Sequence, residues 1–223
     1  MNESTAARHE SNRAFYDRIS VAYDLLSDAS ERSARLAGLE ALALQPGERV
    51  LELGFGTGNE ILDLAAKVGA GGQVCGVDIS TGMLAVARKK IETAQLSAPV
   101  DLRVADARSL PFADAGFDAV YTSFTLELFP DEDIPLVLAE VRRVLCAGGR
   151  LGVVSMAVVP PGEQSSALER AYVWMHRHFP HIVDCRPIDL ETTLKAAGFR
   201  LARTIPLEIW TLPVTAALAT APA

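Results

Sequence analysis

The chain has 223 residues, 49% of them hydrophobic and 22% charged, which is enough for one large domain and too apolar for wholesale disorder. Asp and Glu number 28 against 21 Lys and Arg, and the formal net charge of -7 argues against a polyanion-binding surface, so nucleic acid is not an expected partner. No apolar run approaches the roughly 18–20 residues of a membrane span, and residues 1–5 lack the apolar core of a signal peptide. The three cysteines (Cys75, Cys146, Cys185) include no CxxC pair, which argues against a disulfide framework or a zinc site and leaves a reducing cytoplasm as the expected location.

Residues 1–30 are polar with scattered aromatics: Phe15, Tyr16 and Tyr23. Residues 31–44 space Leu36, Leu39 and Leu42 as one helical face, and Pro46-Gly47 ends that helix. Residues 49–53 form a short apolar strand cut off by Gly54, and 59–68 read as a helix with Ile61, Leu62, Leu64 and Ala65 on its apolar side. The rhythm repeats with strand 73–79, helix 82–95, strand 100–105, strand 117–124, helix 134–145 and strand 150–159. Pro135 falls in a first helical turn, where its missing N–H does no harm. Pro160-Pro161-Gly162 breaks the pattern before a helix over about 163–179, and a last helix covers 190–197. Residues 199–205 and 207–218 read as two final strands joined at Pro206. Strand–helix alternation implies right-handed crossovers and a doubly wound, mostly parallel α/β sheet covered on both faces. The closing pair of strands makes seven and puts an antiparallel strand at one edge.

Glu52-Leu53-Gly54-Phe55-Gly56-Thr57-Gly58-Asn59 joins the first strand to its helix. Alternate glycines let the backbone turn sharply and approach a ligand, and the helix start favours polar or anionic groups. A dinucleotide loop carries Gly-x-Gly-x-x-Gly, but the position of its third glycine holds Asn59 here. Asp78, at the end of the second strand, can accept from ribose hydroxyls of either NAD or an adenosyl cofactor, and its charge disfavours a 2′-phosphate. Asp106, after the third strand, can accept a hydrogen bond from an adenine amino group, and it decides between the two.

Together, Glu52-x-Gly-x-Gly-x-Gly, Asp78 and Ala105-Asp106-Ala107 resemble the class I S-adenosylmethionine-dependent methyltransferases, a Rossmann-like fold. So do the later runs Gly116-Phe117-Asp118-Ala119-Val120, Leu126-Glu127-Leu128-Phe129-Pro130-Asp131, Glu140-Val141-Arg142-Arg143-Val144-Leu145 and Gly148-Gly149-Arg150-Leu151. The resemblance is close over about residues 45–155. It implies that Gly54, Gly56 and Gly58 carry the amino-acid end of the cofactor and that Glu52 reaches its ammonium. It further implies that Asp78 holds the ribose, that Ile79 and Met83 sandwich the adenine, and that Asp106 and the Ala107 amide read its edge. Ser123 and Phe124 are then expected beside the methionine portion.

Phe15-Tyr16-Asp17-Arg18-Ile19-Ser20-Val21-Ala22-Tyr23-Asp24 is similar to the entry segment of the ubiquinone/menaquinone-biosynthesis C-methyltransferases and their relatives, which implies that Tyr16 and Tyr23 close over the cofactor. Relatives often carry Leu-His-His after the fourth strand, where this chain has Leu126-Glu127-Leu128. Glu127 reads either as a base or as a solvated residue at a helix start, and the second is the simpler reading. Trp174-Met175-His176-Arg177-His178-Phe179-Pro180-His181 gathers three of the four histidines. His176 and His178 face apart on a helix, so no metal site is expected; one of them can serve as a general base, or the stretch is an aromatic lid. Arg186 can grip an acidic acceptor group or pair with Asp184.

One domain is expected over 1–223: an N-terminal lid and helix (1–44), a cofactor-binding core (45–155), an acceptor-side insertion (156–187) and a C-terminal helix with strands (188–223). The resemblance implies methyl transfer from S-adenosylmethionine, leaving S-adenosylhomocysteine, by in-line displacement to a small acceptor. Trp174, Trp210, Leu212 and Val214 suggest that the acceptor is hydrophobic or aromatic. A monomer or homodimer without integral membrane association is expected. The alternatives are a protein of the same fold that binds the cofactor without transferring methyl, and a NAD-dependent oxidoreductase.

Overall fold

The structure, a computed structural model, describes residues 28–158 and 186–222. In chain order the elements are α1 (Asp28–Ala41), β1 (Arg49–Leu53), α2 (Asn59–Val68), β2 (Gln73–Asp78), α3 (Thr81–Thr93) and β3 (Val100–Val104). β4 (Phe117–Ser123), a 3-10 turn (Leu126–Leu128), α4 (Ile134–Val144), β5 (Leu145–Met156), α5 (Leu190–Ala196), β6 (Arg200–Ile209) and β7 (Leu212–Thr220) follow. The seven strands lie in the order β3-β2-β1-β4-β5-β7-β6. The first five pair in parallel, while β7 runs antiparallel to both β5 and β6. The antiparallel strand therefore sits one place inside the edge.

Alternation along each strand divides the core into two layers. Leu51 and Leu53 of β1 face α4 and α5, in a cluster with Ile134, Leu138, Val141, Leu190 and Leu194. Val50 faces the other way, towards Ala34, Leu39, Ile61, Leu64 and Ala87 of α1, α2 and α3. Position 52 shares the parity of Val50, so Glu52 enters the α1–α3 layer. Helix α1 lies close on the sheet because Gly38 has no side chain: a Cβ there would stand 2.3 Å from Cγ2 of Val154. Its backbone is also anchored at Arg35, whose carbonyl accepts the Tyr121 hydroxyl at 2.8 Å.

Two expectations change. Pro206 does not join the last two strands; it lies inside β6, opposite Thr215. An edge strand tolerates a residue that cannot donate to a ladder, and the hairpin turns instead at Trp210 and Thr211, both with positive φ (53° and 88°). Trp210 is consequently 70% exposed. The expected helix over 163–179 lies outside the described residues. Among those described, no helix is long and apolar enough to cross a membrane.

Candidate active site

In this sheet β1 has β2 on one side and β4 on the other, and the crossovers leave it in opposite directions, towards β2 and β3 on one side and β4 and β5 on the other. A crevice opens beyond the C-terminal strand ends at such a switch point. The glycine loop and residues 123–125 lie there.

Gly54, Gly56 and Gly58 all have positive φ (70°, 50° and 84°), but for different reasons. A Cβ on Gly54 would fall 2.2 Å from the Thr125 hydroxyl, and one on Gly58 would fall 2.9 Å from Cβ of Ala87. Those two glycines let β4 and α3 close on the loop. Gly56 has nothing within 4 Å of its Cβ direction among the described residues. Asp78 holds the loop in place: its carboxylate accepts from the Gly56 and Ser80 amides, both at 2.9 Å. No side chain caps the start of α2 at Gly58. Lys90 of α3 braces the same corner, donating to Thr57 Oγ1 at 3.1 Å and Asn59 Oδ1 at 2.7 Å.

Glu52 is fully buried, and among the described residues neither of its carboxylate oxygens has a hydrogen-bond partner. Burial pushes its carboxyl well above the usual range, and the Glu60 carboxylate pushes the same way, against the pull of Arg35. Arg35 is itself committed to Glu60 at 2.7 Å and Glu31 at 3.3 Å. An uncompensated buried carboxylate is costly, so Glu52 is held towards its neutral form unless a cation is placed beside it.

Asp106 is gripped by Arg108, whose guanidinium meets both carboxylate oxygens, the shortest contact being 2.6 Å. Arg108 also reaches Asp133, just before α4, at 2.8 Å. The Ala107 side chain is buried and Ile79 is half-buried. Met83 corrects an expectation. Ser80 caps α3 by accepting from the Met83 amide at 3.0 Å, and the Met83 side chain is then 2% exposed in the α1–α3 core. It offers almost no surface to a sandwiched ring and can only back Ile79.

At the end of β4, Ser123 is half-buried and its carbonyl accepts the Thr125 hydroxyl at 2.9 Å. Phe124 adopts φ 48°, a conformation a bulky side chain takes only under constraint, while its amide donates to the Val154 carbonyl at 2.8 Å. Glu127 overturns its solvated reading. It is 1% exposed, and its Oε1 accepts the Met156 amide at 3.2 Å. Burial raises its carboxyl to about 7, countered by the Met156 amide and the Ser155 hydroxyl.

Arg186 pairs with Asp131 and donates to the Phe129 carbonyl at 2.8 Å, so its partners lie after β4. Tyr16, Tyr23, Trp174, His176, His178, His181 and Asp184 lie outside the described residues. Sequence reasoning missed Arg35, Glu60, Lys90, Arg108 and Thr125. Only Arg108, two residues after the singled-out Asp106, carried a local signal.

The orphaned Glu52 oxygens suit an amino-acid ammonium, and the open space at Gly56 leaves room for it beside Asp78. The methyltransferase-domain family matches residues 50–149, which span all of these groups. A ubiquinone/menaquinone biosynthesis C-methyltransferase from Teredinibacter turnerae is 34% identical over 173 residues, covering 76% of this chain and 67% of that protein. The chain belongs to the class I S-adenosylmethionine-dependent methyltransferases. A demethylmenaquinone methyltransferase from Beutenbergia cavernae is 39% identical over 164 residues, covering 71% of this chain and 62% of the relative. The chain spans about three-fifths to two-thirds of the length of these two relatives. Among solved structures, a SAM-dependent methyltransferase from Aquifex aeolicus shares the methyltransferase fold, with a TM-score of 0.67, 20% identity, and coverage of 90% of this chain and 97% of that one.

Proposed function

We propose that this methyltransferase moves the methyl group of S-adenosylmethionine to a small hydrophobic or aromatic, quinone-like acceptor. The observation that carries the reading is Glu52, a buried carboxylate with two unpartnered oxygens beside the open face of Gly56. The cofactor brings a methyl already activated on a sulfonium. What this chain must add is alignment and exclusion of water, and alignment alone can lower a barrier by ~7–11 kcal/mol.

Glu52 takes the ammonium, while Gly54, Gly56 and Gly58 hold the amino-acid end. Asp78, at the end of β2, holds the ribose. Ile79 packs on the adenine with Met83 behind it, and Asp106 and the Ala107 amide sit at its edge. Ser123 and Phe124 flank the methionine portion. Tyr16 and Tyr23 in the N-terminal segment (1–44) close the site, and the 156–187 insertion, with His176 and His178, borders the acceptor. The quinone-like class is supported by the printed activities of the relatives and by the apolar cluster of Phe124, Met156, Ile209 and Val214 at the same end of the sheet. Net charge argues for a small-molecule partner rather than nucleic acid. We place the protein in the cytoplasm, as a monomer or homodimer.

Calorimetric titration tests the reading. Micromolar binding of S-adenosylmethionine with no heat from NAD supports it, and the reverse pattern supports an oxidoreductase. Binding without methyl transfer to any of a panel of quinols, phenols and lipids would leave a passive binder of the same fold.

A further inference from the structure

A second buried carboxyl, with one oxygen unpartnered among the described residues, lies just after β4. Thr125 packs against Gly54 of the glycine loop, and Glu127 follows two residues later in the 3-10 turn. Its Oε1 is fixed by the Met156 amide at the end of β5, whereas Oε2 is buried with no hydrogen-bond partner among the described residues. A residue kept only to cap Met156 needs one acceptor oxygen, which an amide side chain supplies without burying a charge. Phe124, Met156, Ile209 and Val214 build the apolar layer on this side of the sheet end.

Resting on the methyl-transfer reading above, we infer that Glu127 is a catalytic residue that accepts the proton of an acceptor bearing a phenolic or enolic hydroxyl. The O–H proton passes to Glu127 Oε2. The acceptor's nucleophilic atom forms its bond to the methyl carbon as the carbon–sulfur bond breaks, and that electron pair stays on sulfur. Charge balances, because a sulfonium and a carboxylate become a thioether and a carboxylic acid. A hydroxyl fits better than an amine, since a carboxylate paired with an ammonium would stabilise the non-nucleophilic form.

The Glu127 carboxyl, raised to about 7 by burial, exchanges its proton near neutrality. The groups bearing on it are the Met156 amide, its own backbone amide and the Ser155 hydroxyl, which favour the anion, and the Glu31 carboxylate of α1, which opposes it. Glu31 is in turn paired with Arg35.

The test uses the full chain loaded with S-adenosylhomocysteine and two probes that differ by one O–H, 1-naphthol and 1-methoxynaphthalene, titrated at pH 8. The unsubstituted protein should bind the naphthol at least about tenfold more tightly than the ether, as a hydrogen bond to a charged acceptor provides. Glu127→Gln keeps an oxygen for Met156 and should cut that preference to within about threefold. Should this variant not fold, the unsubstituted protein should still lose the preference at pH 5.5, where Glu127 is neutral. A preference unchanged in folded Glu127→Gln, or unchanged between pH 5.5 and 8, overturns the proposal. So does an unsubstituted protein that binds the ether as well as the naphthol, or binds neither. Failure of the methyl-transfer reading shows separately, as absence of heat on titration of the unsubstituted protein with S-adenosylmethionine.

Discussion

Gly56 donates its backbone N–H to Oδ2 of Asp78 at 2.9 Å. The acid assigned to the ribose is thus also the clamp on the loop assigned to the amino-acid end, so both halves of the cofactor depend on one side chain. Asp78→Ala should weaken S-adenosylmethionine binding by at least ~1.5–3 kcal/mol, the worth of a charged hydrogen-bonding partner. Calorimetry on the folded variant checks this.

The glycines of the loop should separate into two classes. Gly54→Ala places a Cβ against Thr125 in a backbone with φ 70°, so it should lower the melting temperature sharply. Gly56→Ala meets no neighbour and costs only the left-handed conformation, roughly 1–2 kcal/mol. It should fold and yet bind cofactor poorly, because the methyl group occupies space meant for ligand. Thermal melts paired with titration read both effects.

Glu52→Gln should move stability and binding in opposite directions. At a pH high enough to ionise Glu52, removing its buried carboxylate relieves the repulsion with Glu60 and should raise the melting temperature of the ligand-free protein. Losing the anion should weaken the cofactor by about tenfold or more. A variant that is both less stable and equally tight would show Glu52 to be structural.

Most of the sheet was legible because its strands and helices carry strong periodic patterns closed by glycine, as at Gly54 and Gly69. The glycine loop and both aspartates were legible because their chemistry sits in contiguous residues. The rest depends on contacts between distant positions. Arg35 reaches Glu60 across 25 residues and Arg108 reaches Asp133 across 25, and no local pattern announces either pairing. Glu127 was misread as solvated because its hydrogen-bond partners, Met156 and Ser155, stand one strand away. Pro206 was misread as a turn because its tolerance in a strand depends on that strand being outermost, which only the topology reveals.

Arg108→Ala should act on both stability and binding. It removes the guanidinium from both Asp133 and Asp106, at a cost of roughly 1–3 kcal/mol after allowance for partial exposure. Cofactor affinity should fall with it, whereas Arg108→Lys, which keeps the charge but not the fork, should fall between. Denaturant titrations and calorimetry on the same three proteins check the order.

Glu127 should also shape stability against pH. Below its ordinary 4.5 the carboxyl is neutral in both the folded and the unfolded chain. Between there and about 7 the unfolded chain gives up a proton that the folded one keeps, so stability falls as pH rises, by up to about 3 kcal/mol in all. Above that range its contribution to the slope ends. Denaturation midpoints from pH 4.5 to 8 should show this decline in the unsubstituted protein and a flatter line in Glu127→Gln.

Pro206 has a consequence for how copies of this chain meet. The outer margin of β6 sets Pro206 among exposed Arg203 and Glu208, with a bulge between Leu201 and Arg203. The opposite margin, β3, is five residues long and carries the paired Asp101 and Arg103. Both rims are poor templates for a strand from another molecule, so crowding should not drive this protein into edge-to-edge fibrils through either one.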